Sequence, residues 1–428
     1  MSQVPGRLAV SVRVARGDDE DAAGELTALA YRADGLLLEV DPYAEELRDA
    51  HRRAREATLL VATVPTGDGR DAVVGSLTLA PYGSSYAEVA EPDELELRML
   101  AVAPEARRRG VAEELLQAAL REAVARGARR VVLSTLDAMT AAQRLYARLG
   151  FEARPDRDWS HGEVHLRVHT WTAPEPPGAL VEAATWAPAT VVDVAGWRVG
   201  LSDGITRRAN SVLALSAPAD LEGAIARVEG LYAEHGLPAT FRVGDESRPA
   251  DLDAVLEARG YAAVTRTDVL VRGVDAAAQS DVPGAARHDV ARPGGLHVAE
   301  EPADDWLDDW LAGKHVSRAS ARATGRAVLA SAPARYLSVH AGGRLVGRAR
   351  VAFAEGWAAI SCVAVDPVER RRGLGRALTA AALEEAGRLG VHRAFLQVEA
   401  ENVTAARLYA GLGFRPAQRY AYRERALR

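Results

Sequence analysis

The chain has 428 residues, room for about two or three domains of ordinary size, and 48% of them are hydrophobic against 26% charged. A net charge of −6 argues against general nucleic-acid binding, and Glu182, Asp193 and two prolines break the one stretch (179–197) that looks apolar enough for a membrane span. Without a charged-then-apolar leader pattern, a cytoplasmic protein is expected.

Period-two alternation predicts a strand in "LAVSVRVA", and helical spacing predicts helices in "EDAAGELTALAYRA" and "YAEELRDAHRRAREA". Strands follow in "TLLVATV", "AVVGSLTLAPY" and "LELRMLAV". "GVAEELLQAALREAVARG" is a helix ending at Gly127. Strand "RRVVLSTL", helix "TAAQRLYARLG" and a strand pair near 152–171 close the first block, 1–172. Pro-rich sequence at 173–189 reads as a linker. The middle block, 190–274, has helix "LEGAIARVEGLYAEHG", strand "ATFRVG", helix "DLDAVLEARG" and strand "YAAVTRTDVLVRG". A second Pro/Gly-rich linker covers 275–295. The third block, 296–428, runs through strands "YLSVHAG", "RLVGRARVAFA" and "WAAISCVAV", helix "GLGRALTAAALEEAGRLG", strand "RAFLQVEA", helix "TAARLYAGLG" and closing strand "FRPAQRYAYRERA". The order predicts an α/β fold with mixed sheets. Cys362, the single cysteine, reads as a buried structural thiol, and Lys314 is the single lysine.

A displacement of 263 residues lays Arg107 on Arg370, Gly110 on Gly373, Tyr146 on Tyr409, Gly150 on Gly413 and Phe151 on Phe414. No gap is needed, and about half the positions from Val102 to Phe151 are identical. Shared helix propensity would not hold the spacing between a glycine loop and a tyrosine constant, so this is an internal repeat. "LEARGYA" in the middle block parallels "LYARLGF" and "LYAGLGF" but has no Arg/Gly loop, which suggests a degenerate third copy.

In each intact copy a strand ends, an Arg/Gly loop turns and a helix begins. N–H groups of a first helical turn, with the helix dipole, suit an anion such as a diphosphate. A dinucleotide-binding Gly-x-Gly-x-x-Gly loop is excluded, because Leu378 occupies the third glycine position. A Walker loop is excluded because no Gly-Lys-Ser/Thr occurs.

"VAVDPVERRRGLGRAL" followed by "LQVEAENVTAARLYAGLGF" resembles the GNAT superfamily of acyl-CoA N-acyltransferases, as does its counterpart in the first block. The resemblance covers roughly 1–172 and 296–428. The stretch from 196 onward also resembles two-part GNAT proteins that carry a histone-type acetyltransferase label. It implies tandem GNAT folds, two intact and one degenerate half, and acetyl-CoA as cosubstrate without a metal. The acceptor would be an amine, on a small molecule or a protein, with neither nucleic acid nor membrane as partner. Pairing of blocks within a monomer or between two copies would mimic a GNAT dimer.

The resemblance also assigns residues. Backbone at Leu100, Ala101 and Val102, and at Val363, Ala364 and Val365, would polarise the thioester carbonyl. Arg107, Arg108, Arg109, Gly110, Val111, Ala112 and Glu113 would cradle the pyrophosphate in one copy. Arg370, Arg371, Arg372, Gly373, Leu374, Gly375 and Arg376 would do so in the other. Asn402 would contact pantetheine or cap its helix; Met139 replaces it in the first copy. Tyr146 and Tyr409 would protonate the leaving thiolate, or serve as core residues. For the base, Glu96 is the candidate in the first copy, with an ion pair to Arg98 as its other reading. Glu399 is the candidate in the last, with a capping or pairing role as its other reading. Either both domains are active, or one is a structural or acetyl-CoA-sensing module, or the chain binds CoA without turnover.

Overall fold

A computed structural model describes residues 8–37, 41–67, 69–162, 164–274, 295–314 and 320–427. The chain divides into two compact units, Met1–Ala173 and Pro174–Arg428. Among the described residues no helix is long and apolar enough to cross a membrane.

The first unit runs β1 (Ser11–Val14), α1 (Gly17–Ala33), α2 (Tyr43–Arg48), α3 (Ala50–Glu56), β2 (Thr58–Pro65), β3 (Asp71–Pro81) and β4 (Glu94–Val102). It continues with α4 (Val111–Ala125), β5 (Arg130–Leu136), α5 (Thr140–Arg148), β6 (Glu152–Ala153), β7 (Trp159–His161) and β8 (Val164–Thr172). The sequence predicts one helix over 43–57. The structure splits it at Asp49, whose carboxylate accepts the Arg52 N–H and so caps a new helix. The strands form one mixed sheet in the order β1-β2-β3-β4-β5-β8-β6, with β7 on β8. Among the described residues β4 and β5 are the one parallel pair of this sheet, and α4 is their crossover. Its Val111, Leu115, Leu116, Ala119 and Ala123 recur at helical spacing and are buried with Leu77, Leu97 and Leu133 of the sheet.

The second unit opens with α6 (Ala179–Thr185), β9 (Thr190–Val194), β10 (Trp197–Leu201), β11 (Val212–Leu213), α7 (Leu221–Glu234), β12 (Ala239–Val243), α8 (Leu252–Ala258) and β13 (Ala262–Gly273). Then come β14 (Leu296–Ala299), α9 (Asp304–Ala312), α10 (Ala321–Leu329), β15 (Ala334–Ala341), β16 (Arg344–Ala354) and β17 (Trp357–Val365). It ends with α11 (Leu374–Arg388), β18 (Arg393–Glu399), α12 (Val403–Ala410) and β19 (Arg415–Arg425). The stretch read as a linker at 173–189 contains α6, whose Glu182 is buried and ion-paired to Arg242 at 2.7 Å. The second expected linker, 275–295, lies outside the described residues except for Gly295.

The sheet of this unit runs β14-β15-β16-β17-β18-β13-β19-β12-β11-β10-β9. Its middle holds an exchange. In the first unit β5 is flanked by β8, the last strand of the same copy. In the second unit β18, the counterpart of β5, is flanked instead by β13 from the preceding stretch, with Thr267 opposite Glu399 and Gly273 opposite Arg393. The chain's last strand, β19, crosses to β12, with Ala239 opposite Arg425 and Val243 opposite Ala421. Stretches 190–274 and 296–428 thus lend each other their closing strands, and β13 and β19 pair with each other between them.

Candidate active site

In both units two parallel strands part midway. β4 and β5 pair from Glu94 to Leu97 and no further, although β4 runs on to Val102. β17 and β18 pair from Trp357 to Ile360, although β17 runs on to Val365. At the parting each central strand carries a bulge. Met99 and Leu100 face the single residue Leu77, and Cys362 and Val363 face the single residue Ala349. Met99 and Cys362 both take left-handed backbone, φ 52 and 57. Past the bulge the Ala103 N–H bonds Val74 O at 3.0 Å, and the Asp366 N–H bonds Val346 O at 2.9 Å. Alternation therefore turns the backbone of Val102 and Val365 to the opposite side, into the gap left by the departing strand.

Each strand then enters its Arg/Gly loop. Arg108 and Gly110 have φ 58 and 87; Arg371 and Gly373 have φ 64 and 82. Gly110 and Gly373 are the N-caps of α4 and α11, and the first helical bonds are Glu114 N–H to Gly110 O and Ala377 N–H to Gly373 O. The N–H groups of Val111 and Ala112, and of Leu374, Gly375 and Arg376, lie outside those helical ladders. A Cβ on Gly373 would meet nothing within 4 Å, so its backbone angle is what calls for glycine. Gly375 differs. A Cβ there would lie 3.2 Å from Leu408 Cδ1, so this glycine lets α11 lie against α12.

The first arginine of each triplet folds back on its own strand. Arg107 Nε bonds Val102 O at 3.3 Å while its guanidinium pairs with Asp34 at 2.6 Å. Arg370 Nε bonds Val365 O at 3.3 Å. Arg372 pairs with Glu369, and Arg376 Nη1 bonds Gly411 O at 3.1 Å. Arg108 and Arg371 are exposed.

The tyrosines come back to these loops. Tyr146 shares an apolar cluster with Leu100, Ala101, Val102 and Val111. Tyr409 packs on the cluster that also takes Val363, Val365, Leu374 and Leu408. Each stands over a phenylalanine, Phe151 at 5.7 Å and Phe414 at 6.0 Å between ring centroids. Burial pushes both hydroxyls up to about 12. Asn402 caps α12, its Oδ1 accepting the Ala405 N–H at 3.1 Å, whereas Met139 makes no such bond.

The two candidate bases differ sharply. Glu96 is fully buried, and its Oε2 accepts the N–H groups of Glu88 and Val89 at 2.8 Å and of Ala90 at 3.1 Å. Oε1 lies 3.5 Å from the Arg98 guanidinium. Burial raises this carboxyl above its ordinary value against the pull of those N–H groups and Arg98. Glu94, on the same strand face, is ion-paired to Arg157 and Arg130. Glu399 instead is exposed at the end of β18.

Glu399 lines a cavity of about 810 Å³ on the splay of the second unit, together with Ser361, Cys362, Val363, Ala364 and Gln397. Cys362, read from sequence as buried, is half-buried because the bulge turns it out of the regular strand. The far wall comes from Trp186, Arg207, Arg208 and Thr240, and from Thr265 and Thr267 of β13. Those wall residues are invisible to motif reading, since they come from segments with no glycine loop. In the first unit the residue matching Cys362 is Met99. Its side chain is buried with Ala28, Leu47, Ala80 and Tyr86, and Tyr31 and Tyr43 pack alongside.

The family model of the probable histone acetyltransferase Rv0428c C-terminal matches residues 180–423, more than half the chain. The chain belongs to this family. The model of the acetyltransferase (GNAT) family matches residues 26–151, so each unit of this GNAT acetyltransferase contains a matched region. An uncharacterised N-acetyltransferase, YobR, of Bacillus subtilis is 24% identical over 247 residues, which cover 56% of this chain and 94% of that protein. The [ribosomal protein bS18]-alanine N-acetyltransferase of Escherichia coli is 46% identical over 55 residues, 13% of this chain and 37% of its own. Among solved structures, a GCN5-related N-acetyltransferase from Kribbella flavida is similar at 19% identity and TM-score 0.43, covering 58% of this chain and 95% of its own.

Proposed function

We propose that the GNAT acetyltransferase has two acetyl-CoA cradles, Arg107–Glu113 and Arg370–Arg376, and transfers acetyl to an amine in the second unit. In this reading 190–274 is a degenerate copy kept for its strands and its cavity wall. The observation that carries it is the coincidence, twice and at one spacing, of a splayed strand pair, a left-handed bulge and a glycine-capped helix start. Acetyl-CoA supplies the thioester and the leaving thiol. Val365 N–H, turned into the splay, donates to the carbonyl oxygen as charge builds on it. Glu399 pairs with the acceptor ammonium and passes its proton on to solvent, freeing the lone pair for attack. The new N–C bond forms as C–S breaks, and the amide nitrogen loses its second proton to solvent. Tyr409, at about 12, stays protonated and steadies the departing thiolate by a hydrogen bond. Outright transfer to a thiolate of ordinary pKa, about 8.5, would run uphill by more than three pKa units, so the thiolate's own proton comes from water.

For the first unit the geometry favours a holding role. Its bulge is covered by Met99 and Tyr86, and Glu96 is spent on three loop N–H groups. Calorimetry with CoA tests the reading: two sites per chain are expected, one lost on Gly110→Trp and the other on Gly373→Trp. Thiol release should fall with the second variant and persist with the first. A chain that binds no CoA would refute the proposal, and thiol release lost only with Gly110→Trp would reverse the assignment.

A further inference from the structure

The cavity on the second splay has more cation than its acids neutralise. Its lining includes Arg207, Arg208, Lys314 and Arg348 against Asp203, Glu399 and Glu424. Several of these are already engaged. Arg207 pairs with Glu424 at 3.1 Å, and Arg348 pairs with Asp309 at 2.6 Å while bonding Cys362 O at 2.8 Å. Asp203 accepts the hydroxyls of Ser320 and Thr324, each at 2.6 Å. Arg208, Lys314 and Glu399 are left.

Arg208 and Lys314 stand on adjoining rings. The Arg208 guanidinium lies 5.0 Å from the Trp186 ring and the Lys314 ammonium 5.4 Å from the Trp310 ring. The two tryptophans meet edge to face at 6.0 Å. Among the described residues neither cation has a carboxylate within ion-pair distance. Arg350, fully buried and 5.2 Å from Trp186 on its own approach, bonds the carbonyls of Leu329 and Thr185 and has no carboxylate within ion-pair distance among the described residues. It adds positive potential behind the same ring. Burial is the main cause that disfavours the Lys314 charge, and Arg348 and Arg208 push the same way against Cys362 and Glu399. An anion placed there would relieve that cost.

We propose that this cavity takes a small amine that also bears an anionic group, a carboxylate or a phosphate. Arg208 and Lys314 hold the anion, and Glu399 faces the amine. The acceptor role rests on the acetyl-transfer reading above, whereas the anion subsite does not. A lysine-rich peptide is the wrong partner, since it would bring more cation to an uncompensated pair. Two contacts of this charge-assisted kind are worth about tenfold or more each in affinity.

The test uses the full chain with β-alanine, phosphoethanolamine, 1,4-diaminobutane and a lysine-rich peptide, by calorimetry and by thiol release with acetyl-CoA. The two anion-bearing amines should bind, and should release thiol at least tenfold more efficiently than the diamine or the peptide. Arg208→Gln and Lys314→Gln should each raise their KM about tenfold, with the heat of CoA binding and the melting curve as checks on folding. Preference for the diamine or the peptide would overturn the proposal. So would an unchanged KM or affinity for both anionic amines in the double variant. If no amine releases thiol, the transfer reading fails alone. The binding titration then still decides the anion subsite.

Discussion

Cutting the second unit between its exchanged strands should cost it its fold. A fragment of residues 295–428 keeps β14 to β19 but loses β13, which covers the β18 edge along Thr267–Gly273. Val269, Leu270 and Val271 of β13 are at most 5% exposed. Burying side chains of this size contributes about 1.5–3 kcal/mol each, hence about 5–9 kcal/mol for the three. That is comparable with the whole net stability of a domain, about 5–15 kcal/mol. The fragment also leaves β19 without β12, its neighbour on the other side. Expressed alone, 295–428 should be unfolded or associate with itself through the bare strands. Co-expressed with 174–274, it should purify as a one-to-one complex and melt cooperatively. Size-exclusion chromatography with circular-dichroism melting reads both outcomes. A monomeric 295–428 fragment with a sharp melt would refute the reasoning.

Three further outcomes are expected. Gly373→Ala should lower the stability of the second unit by about 1–2 kcal/mol, the cost of a left-handed alanine with open space around its Cβ. At about 2–4 °C per kcal/mol this is readable by calorimetry, and an unchanged melt would contradict the assigned backbone angle. Glu182→Ala should cost about 3–5 kcal/mol, because it strands the buried Arg242 guanidinium; a loss under 1 kcal/mol in urea titration would show that water reaches it. Glu96, whose carboxyl is raised by burial, holds its proton more tightly in the folded chain than in the unfolded one. Its contribution is fully present below the unfolded value, about 4.3, and is lost as pH rises through the folded one. Glu96→Gln should therefore flatten that decline in first-unit stability, measured by urea melts across pH, and a decline of the same size in the variant would place it elsewhere.

Much of the site was legible because its geometry is local. A glycine with φ above 80°, a helix start and a tyrosine two elements later keep a fixed spacing in sequence, and the repeat exposed it. Alternation correctly put Glu94, Glu96 and Arg98 on one strand face, but said nothing of the loop 88–90 that covers it. The strand exchange was not legible. The alternating patterns of β13 and β19 say that each needs neighbours, not which ones, and both β18 and β12 satisfy them. Prolines around α6 hid a helix whose Glu182 is buried by tertiary contact, not by any local apolar period. The cavity escaped because its wall is assembled from segments that lie far apart in the chain and share no motif.

The left-handed bulge has a consequence for tolerance to substitution. Left-handed backbone penalises β-branched side chains most, and both copies carry an unbranched residue there, Met99 and Cys362. Unbranched residues can be exchanged at that point while the strand keeps its path. The methionine fills the space above its bulge; the shorter cysteine borders an open cavity. Pocket volume in this architecture is thus adjustable by one side chain that leaves the backbone frame alone, and the chain displays two settings of that adjustment side by side.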